Sequence, residues 1–387
     1  MNTYPVQFYD LLSRALGGND GRRLQGFLDN VVAQKYNELN IPGFKFADEM
    51  QLDFTYEQLQ KTAGINVMAQ YLDLDSPATP IGTEGAVIAT GRIPRMKMVE
   101  NYNEDKYRKL LIAEQRFGAG SDRVVNAAVK ALFNTADTLV GGHTNSLTYQ
   151  RHQVVSTGKF TLNSTNNPNG LMGITFSSHV PSANVNTLSG TKRWWTDAEY
   201  ATEGNAADPI ADMIAMVDVA REKGIDGHFE VNATFLDKII KHSKVVAAIA
   251  ANLWPMAADA TASASYLSRA KKIEVLAEIV GAPINAIDAK VATEVYNKAS
   301  KALERKTIDA FESNVLVFVP NGELGEILTV EPIAIEGGTY ATFYGGRLLM
   351  TVDVDAKYKC QSFNTEMTSL VVANRAHEMF YLKPCNA

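Results

Sequence analysis

The sequence predicts an α+β fold, and three features of its 387 residues lead to that class. One long helical pattern stands near the middle, helical and extended patterns alternate through the next third, and extended patterns dominate the end. The chain is 46% hydrophobic and 21% charged, which is typical of a soluble globular protein with enough residues for one large or two modest cores. Its net charge of -6 disfavours a nucleic-acid-binding protein, because such a protein needs a basic face to neutralise phosphates.

The cysteines and the predicted absence of targeting signals indicate in which compartment the protein is expected. Cys360 and Cys385 stand outside any CxxC or metal-ligand spacing, which favours unpaired thiols in a reducing compartment. The N-terminus has no basic segment followed by an apolar one, so no signal peptide is predicted. No apolar run approaches the roughly 20 residues that span a bilayer, so no membrane segment is expected.

The N-terminal residues 1–45 are predicted to form a helical, amphipathic arm. Two short helices at a terminus cannot bury both of their apolar stripes alone, so we expect the arm to dock on the main body or on a neighbouring subunit. A glycine-rich break at 17–21 separates the two stripes. Their members are Phe8, Leu11, Leu12 and Leu16, then Leu24, Phe27, Leu28, Val31 and Val32.

A long β-hairpin is predicted within 62–104. Its strands are 65–76 and 85–99, they flank a loop rich in Pro, Gly and Thr, and Pro94 marks an edge or irregular strand. Such a hairpin has little core of its own, and its edges invite pairing. Either a partner covers it, or it packs on its own domain.

A basic run in the second hairpin strand gives the candidate inter-subunit contacts. Arg92, Arg95 and Lys97 form the run, and Glu84 lies near the hairpin tip. The run is either a solvated strand edge guarded by charge or one half of a charge pairing with a neighbouring subunit. Both interpretations stay open from the sequence.

The stretch 121–157 predicts a single helix roughly 50 Å long. Ser121 suits the N-cap, and Gly158 suits the left-handed position that ends a helix. Small stripe residues, the pair Gly141-Gly142 and the lack of an e/g charge pattern argue against a coiled coil, so we interpret the helix as a strut. The stripe consists of Val125, Val129, Leu132, Ala136, Leu139, His143, Leu147, Gln150 and Val154.

The middle third is predicted to be a compact α/β unit. After a strand pair at 158–178 and a polar segment that contains Trp194 and Trp195, Asp208 is expected to cap a helix that begins at Pro209. A short strand at 228–232 follows. One continuous helix is predicted over 233–253 and another over 268–281, followed by a single strand at 283–291.

From Asn314 onward, aromatic and β-branched residues punctuated by turn glycines predict strands. Five extended stretches are expected, among them one at 347–364 and another at 368–384, which includes His377.

No catalytic, cofactor-binding or metal-binding site is predicted. The segment 156–159 superficially resembles a phosphate loop but lacks the first glycine and the Ser/Thr that holds magnesium. The histidines, including His143 and His152, are expected to be helix-surface or packing residues. Asp353 and Asp355 share a strand face, where solvation or a salt bridge to Lys357 or Lys359 is favoured over a carboxylate pair.

The order and spacing of four segments resemble the major capsid proteins of tailed bacteriophages, which have the Hong Kong 97 fold, and within them the lambda-like protein E family. Those segments are spread over most of 120–387 and are patterns of residue type, not catalytic signatures. They read TYQRHQVVSTGKFTL, TDAEYATEGNAADPIADMIAMVDVAREKGIDGHFEVNATFLDKII, KKIEVLAEIVGAPINAI and SNVLVFVPNGELGE.

The resemblance implies a domain layout. It comprises an N-terminal arm at 1–50, an extended loop region at 51–105, a peripheral domain at 106–205 and 323–387 with the spine helix 121–157, and an axial domain at 206–322. The exposed hairpin would then lie over a neighbouring subunit. Gly141 and Gly142 become a candidate hinge at which the spine bends as the shell matures.

The implied function is that of a non-enzymatic shell subunit. Subunits would assemble as hexamers and pentamers into an icosahedral virion capsid, formed in the bacterial host cytoplasm, that encloses double-stranded DNA without sequence-specific binding. No cofactor is implied. The arm is too short for the long scaffolding region of many relatives, so the resemblance implies a separate scaffold protein and a portal, and it allows a decoration protein.

Two alternatives compete with this function. An encapsulin-type nanocompartment shares the fold but encloses protein cargo. An α/β enzyme with its site in 206–322 belongs to a different class, because enzyme sites can be assembled without local motifs.

Overall fold

The computed structural model describes residues 39–60, 87–102, 108–109, 112, 116, 122–168, 170–197, 200–254, 260–297, 302–334, 339–355 and 360–385. Most of the predicted arm, the predicted strand 65–76 and Glu84 lie outside these residues. The chain divides into two compact units. The first contains Arg92–Thr148 and Ile327–Val371 with residues up to Tyr56, and the second contains Glu57–Gly91, Tyr149–Glu326 and residues from Val372.

The α-helices and strands of the described chain have the following bounds. The helices are α1 (Asp122–Thr157), α2 (Pro209–Glu222), α3 (Ala233–Ile239), α4 (Ser243–Leu253), α5 (Ala260–Ser265) and α6 (Arg269–Val280). The strands are β1 (Phe44–Phe46), β2 (Thr55–Gln60), β3 (Val87–Arg92), β4 (Arg95–Tyr102), β5 (Lys159–Thr161), β6 (Thr175–Ser177), β7 (Val185–Thr187), β8 (Gly227–Asn232), β9 (Ile284–Ile287), β10 (Lys290–Asn297), β11 (Ala302–Asp309), β12 (Leu316–Pro320), β13 (Gly325–Val330), β14 (Thr339–Phe343), β15 (Leu348–Asp355), β16 (Cys360–Ala373) and β17 (Phe380–Lys383).

The long helix α1 has 36 residues and confirms the single helix predicted over 121–157. Gly158 ends it with a φ of 70°, and the Gly158 N–H donates to the Val154 carbonyl at 2.9 Å. Helices commonly end at a left-handed glycine of this kind. Every member of the predicted stripe whose side chain is described is buried, namely Ala136, Leu139, His143, Leu147, Gln150 and Val154.

A six-stranded sheet has the order β1-β13-β16-β15-β14, and β4 also pairs with β16. The predicted second hairpin strand is observed as two strands, β3 and β4, separated at Ile93-Pro94, which confirms the irregularity expected at Pro94. The prediction of separate extended stretches around residue 365 is wrong, because β16 runs without interruption for 14 residues. Its buried residues Phe363, Thr365 and Met367 alternate with more exposed ones, and every residue from Thr368 to Ala373 is buried.

The second unit is built on a five-stranded mixed sheet with the order β7-β17-β12-β8-β9. Strand β8 is parallel to β9, and β12 is antiparallel to both of its neighbours. Helix α2 begins as predicted, with the Asp208 carboxylate accepting from the Ala211 N–H at 3.1 Å and Pro209 in the first turn. These capping contacts satisfy amide groups that the helix cannot pair internally.

The helix predicted over 233–253 is two helices, α3 and α4. Each helix begins with its own side-chain cap, and the cap of α4 lies within the break at 240–242. Asn232 accepts from the Thr234 N–H at 2.9 Å, and the Nδ1 atom of His242 accepts from the Lys244 N–H at 3.2 Å. Apolar residues recur at helical spacing across the break, so the sequence pattern did not indicate the cap at His242.

The strand predicted over 283–291 is also two strands, because β9 ends at Ile287 and β10 begins at Lys290. Strands β10 and β11 pair with each other along eight residues, from Lys290 opposite Asp309 to Asn297 opposite Ala302. The sequence did not predict this ribbon. Its side chains are largely exposed on both faces, so it lacks the apolar alternation that marks a half-buried strand.

The predicted polar segment at 178–207 carries two core residues, Trp194 and Trp195, which are both buried. The indole N–H of Trp194 donates to Oδ2 of Asp212 at 2.7 Å. Trp195 packs against Phe235 with the ring centroids 5.8 Å apart. The segment is therefore polar in composition but fixed to the core by its aromatic residues. None of the described helices combines the length and the hydropathy needed to cross a membrane.

A buried ion pair fixes the C-terminal end of α1 to strand β8. The Arg151 guanidinium donates through both terminal nitrogens to the Glu230 carboxylate, at 2.7 and 2.5 Å, and both side chains are almost fully buried. Burial alone would raise the pKa of Glu230, but hydrogen bonds from His228 and Arg151 lower it to about 2. The carboxylate is therefore ionised, and the bidentate geometry offsets its desolvation.

We expect Arg151→Met or Glu230→Leu alone to lower the free energy of unfolding by about 3–5 kcal/mol, because each leaves an uncompensated buried charge. The double variant should recover most of this loss. Urea denaturation of the unassembled chain measures both effects. Arg269→Met is the matched control, since its ion pair with Asp237 is about half exposed and should contribute less than about 1 kcal/mol. Additive losses in the double variant would contradict the coupling.

Candidate functional site

The glycine pair in the middle of α1 occupies two different environments. A Cβ atom at Gly142 would collide with the thioether of Met98, with the Met98 Cε only 2.6 Å away, whereas a Cβ at Gly141 would meet nothing within 4 Å. Both residues lie within the uninterrupted helix. Gly142 therefore makes room for a β4 side chain, and Gly141 has no such packing role.

His143 follows the pair and is buried. Its Nε2 atom lies 3.0 Å from Oγ1 of Thr365 in β16, and its Nδ1 atom has no hydrogen-bond partner among the described residues. Burial lowers the pKa of His143 to about 4, so the imidazole is neutral at physiological pH. The next residue, Thr144, places its hydroxyl 2.8 Å from the hydroxyl of Tyr344. The middle of α1 thus combines a glycine contact with a buried polar contact to the sheet.

The basic run has acidic and aromatic contacts within the chain. Nη2 of Arg95 lies 2.8 Å from Oε1 of Glu366, and Nζ of Lys97 lies 3.1 Å from Oε2 of the same carboxylate. The guanidinium groups of Arg92 and Arg95 lie 5.5 and 5.7 Å from the centre of the Phe54 ring, within cation–π range. The structure therefore brings three of the four candidate contact residues together, while Glu84 lies outside the described residues.

Glu366 is the residue that sequence reasoning missed in this cluster. A signal for it exists, since Glu366 is the only charged residue in the sequence of β16, CQSFNTEMTSLVVA. Opposite charges that face each other on adjacent strands stabilise a sheet, so this carboxylate is a candidate partner for the basic run. The contact between Met98 and Gly142 has no comparable signal.

The remaining polar candidates are structural. Asp353 accepts from the side-chain amide of Asn364 at 2.5 Å, whereas the side chains of Asp355, Lys357 and Lys359 are not described. Among the residues that the structure describes, no group of His, Cys, Asp and Glu could hold a metal ion. The buried thiol of Cys385 has a pKa raised by burial to about 11, so it is protonated.

Of the two interpretations given for the α1 histidines, the structure supports packing residues and not helix-surface residues. His152, like His143, is buried, and its Nδ1 lies 3.0 Å from Nη1 of Arg151. Burial and the neighbouring guanidinium lower the pKa of His152 to about 4. His377 was expected in the last strand, but it lies in a 3₁₀ turn at Ala376–Glu378 before β17.

A family model described as phage major capsid protein E matches residues 36–350. The chain belongs to the phage major capsid protein E family. Members of this family are structural proteins of the virion capsid, and they assemble with themselves. The encapsulin and enzyme alternatives are accordingly not favoured.

Several solved structures are also similar to this chain. A putative capsid protein of a prophage from Escherichia coli CFT073 is 10% identical, with 98% of this chain and 99% of that chain covered and a TM-score of 0.46. A phage-related protein from Bordetella bronchiseptica RB50 is 10% identical, with 97% and 95% covered and a TM-score of 0.45. The capsid of cyanophage A-1(L) is 13% identical, with 88% and 90% covered and a TM-score of 0.42. No curated protein matches the sequence.

Family membership confirms the resemblance to the lambda-like protein E capsid proteins, and the mixed helices and strands confirm the α+β class. The order of elements in the capsid protein, with a long helix between an extended segment and a β-rich end, agrees with the implied Hong Kong 97-like fold. The boundaries of the arm, the extended loop, and the peripheral and axial domains stay predictions.

Alanine substitutions are expected to distinguish the roles of Gly141 and Gly142. Gly141→Ala should raise the free energy of unfolding by up to about 1 kcal/mol, because alanine is the better helix former and has free space there. Gly142→Ala should raise the free energy of unfolding by less, or lower it, because the Met98 side chain must move to make room for the new Cβ atom. Thermal and urea denaturation of the two variants provide the comparison, and in a Met98→Ala background Gly142→Ala should raise the free energy of unfolding as Gly141→Ala does. Equal effects of the single substitutions would contradict the packing role of Gly142.

His143 should make the fold sensitive to mild acid. Its pKa falls from 6.5 to about 4 on folding, so the unfolded chain binds the proton more readily between these values. The stability that depends on neutral His143 is full above pH 6.5 and is lost as the pH falls toward 4, by on the order of 3 kcal/mol.

The measurement is the free energy of unfolding at several pH values between 7 and 4. His143→Gln should remove this part of the pH dependence while other groups continue to titrate. A variant whose stability falls with pH as steeply as that of the wild type would show that His143 does not cause the loss.

Proposed function

We propose that this chain self-assembles as hexamers and pentamers into an icosahedral shell that encloses a phage double-stranded DNA genome. The observation that carries the proposal is the match to the major capsid protein E family over residues 36–350. Assembly would take place in the cytoplasm of the bacterial host. The subunit would act without catalysis or a bound cofactor.

The charge of the chain supports enclosure of DNA without sequence-specific binding. A net charge of -6 avoids strong attraction to packed phosphates. The proposed partners besides the subunit itself are a separate scaffold protein, a portal and a decoration protein. They are supported by the resemblance to tailed-phage capsid proteins.

The basic run and the glycine pair are the proposed assembly residues. Arg95 and Lys97 share the single carboxylate of Glu366 and are 47% and 61% exposed, which supports a further acidic partner on a neighbouring subunit. Arg92 and Glu84 are proposed to take part in the same contact. Gly141 and Gly142 are proposed as a hinge in the spine helix, and the free space beside Gly141 supports some freedom there.

Electron microscopy of the purified chain tests this function. We expect closed shells when the chain is produced alone or with the products of its neighbouring genes. The contents of those shells distinguish a capsid from a nanocompartment, because DNA-filled particles are expected in a phage lysate and co-purifying protein cargo is not. Discrete monomers under every condition would contradict the shell function, and shells loaded with an enzyme would favour the nanocompartment.

A further inference from the structure

The loop between β5 and β6 displays a row of exposed apolar side chains. Leu171, Met172 and Ile174 are exposed, and Met172 is half accessible to solvent. Residues 162–174 include no charged residue. Adjacent exposed apolar side chains of this size are typical of an interaction surface, whereas single ones are ordinary.

Hydrogen bonds within the loop hold these side chains in place. Oδ1 of Asn163 accepts from the N–H groups of Thr165 and Asn166, at 2.8 and 3.1 Å. The Asn166 side-chain amide donates to the Thr161 carbonyl at 2.7 Å, and that of Asn167 donates to the carbonyl of Leu171 at 2.9 Å. The loop is therefore preorganised, so that binding a partner costs less conformational entropy.

Aromatic packing anchors the base of the loop. The rings of Phe160 in β5 and Phe176 in β6 are stacked with centroids 5.9 Å apart. Tyr149 of α1 packs edge-on against Phe160 at 6.1 Å, and its hydroxyl accepts from Asn166 at 3.2 Å. The apolar row thus stands on a rigid base at the end of α1.

The β10-β11 ribbon lies beside the loop, with Oγ1 of Thr293 located 3.5 Å from the Thr165 carbonyl. Within the described residues its strands form a sheet only with each other, and Val295 is an exposed apolar residue on it. An isolated two-stranded ribbon is marginally stable in water. The ribbon carries three cationic and three anionic residues, namely Lys290, Arg305, Lys306, Glu294, Glu304 and Asp309.

We propose that the loop 162–174 and the β10-β11 ribbon, together called the loop–ribbon surface, dock onto a second copy of this chain. The proposal rests on the proposed shell function and names one of the surfaces through which subunits associate. Arg305 of β11 lies 3.3 Å from Glu294 of β10, and the equal numbers of cationic and anionic residues leave the ribbon without a net charge that would repel an identical copy.

The composition of the loop–ribbon surface argues against nucleic acid as its partner. Binding to a phosphate backbone requires an excess of Lys and Arg, because affinity arises largely from counterion release. The loop has no cation, and the cations of the ribbon are matched by an equal number of carboxylates. An apolar, uncharged row instead favours the buried centre of a protein–protein contact.

Site-specific cross-linking in the full chain tests the contact directly. A photoreactive phenylalanine analogue replaces Met172, and equal amounts of isotopically light and heavy chains are assembled together before illumination. Peptides that join a light and a heavy chain at position 172 are expected. Cross-links solely to DNA, solely to a different protein, or within one chain would overturn the proposal.

The effect on assembly is measured with Leu171→Ser combined with Met172→Ser. We expect the concentration at which assembly begins to rise about tenfold or more, because apolar side chains at the centre of a contact dominate its affinity. Tyr266→Ser is the matched control, since it removes a side chain that is 89% exposed outside the loop–ribbon surface. Circular dichroism verifies that both variants fold. If the double variant does not fold, the cross-linking experiment, in which only Met172 is replaced, tests the proposal.

The outcomes separate this inference from the proposed function. A wild-type chain that never self-associates would overturn both. Shells that form normally from the wild type and equally well from the folded double variant would overturn the loop–ribbon surface alone.

Discussion

The buried pair of Arg151 and Glu230 sets the position of the long helix against strand β8, and β8 in turn lies between β9 and β12 in its sheet. A charge in this environment tolerates little movement of its partner, because losing the contact would leave an ion without solvation. The charge of Glu230 also affects a neighbouring group, because it raises the pKa of the Tyr381 hydroxyl, which burial already raises. The ion pair is therefore more a constraint on geometry than a simple source of stability.

The elements that the sequence predicted well are those whose signals are local. The stripe of α1, the cap at Asp208 and the left-handed glycine at 158 each follow from residue type and spacing over a few positions. The division between α3 and α4 was missed because His242 is an unusual cap inside a continuous apolar period. The β10-β11 ribbon was missed because its exposed faces carry no alternation.

Contacts between distant residues explain what sequence reasoning could not reach. Arg151 and Glu230 are 79 positions apart, and each alone resembles an ordinary solvated charge. The basic run was recognised, but its partner Glu366 depends on the register of β4 against β16, in which Glu366 lies opposite Lys97. The space for Met98 beside Gly142 likewise depends on how β4 meets the helix. The order of elements led to the family, although no single residue identified it.

The side chains of α1 become more completely buried toward its C-terminal end, which affects how easily its backbone hydrogen bonds open. From Asn134 to Leu147 the buried side chains alternate with exposed ones, whereas Gln150, Arg151, His152, Val154, Val155 and Ser156 are all buried. Amide hydrogens in the last two turns can exchange with solvent only through rare, extensive openings, while those near Gly141 can exchange through smaller fluctuations. Between Asn134 and Thr157, protection from exchange is therefore expected to rise toward the C-terminal end of the helix.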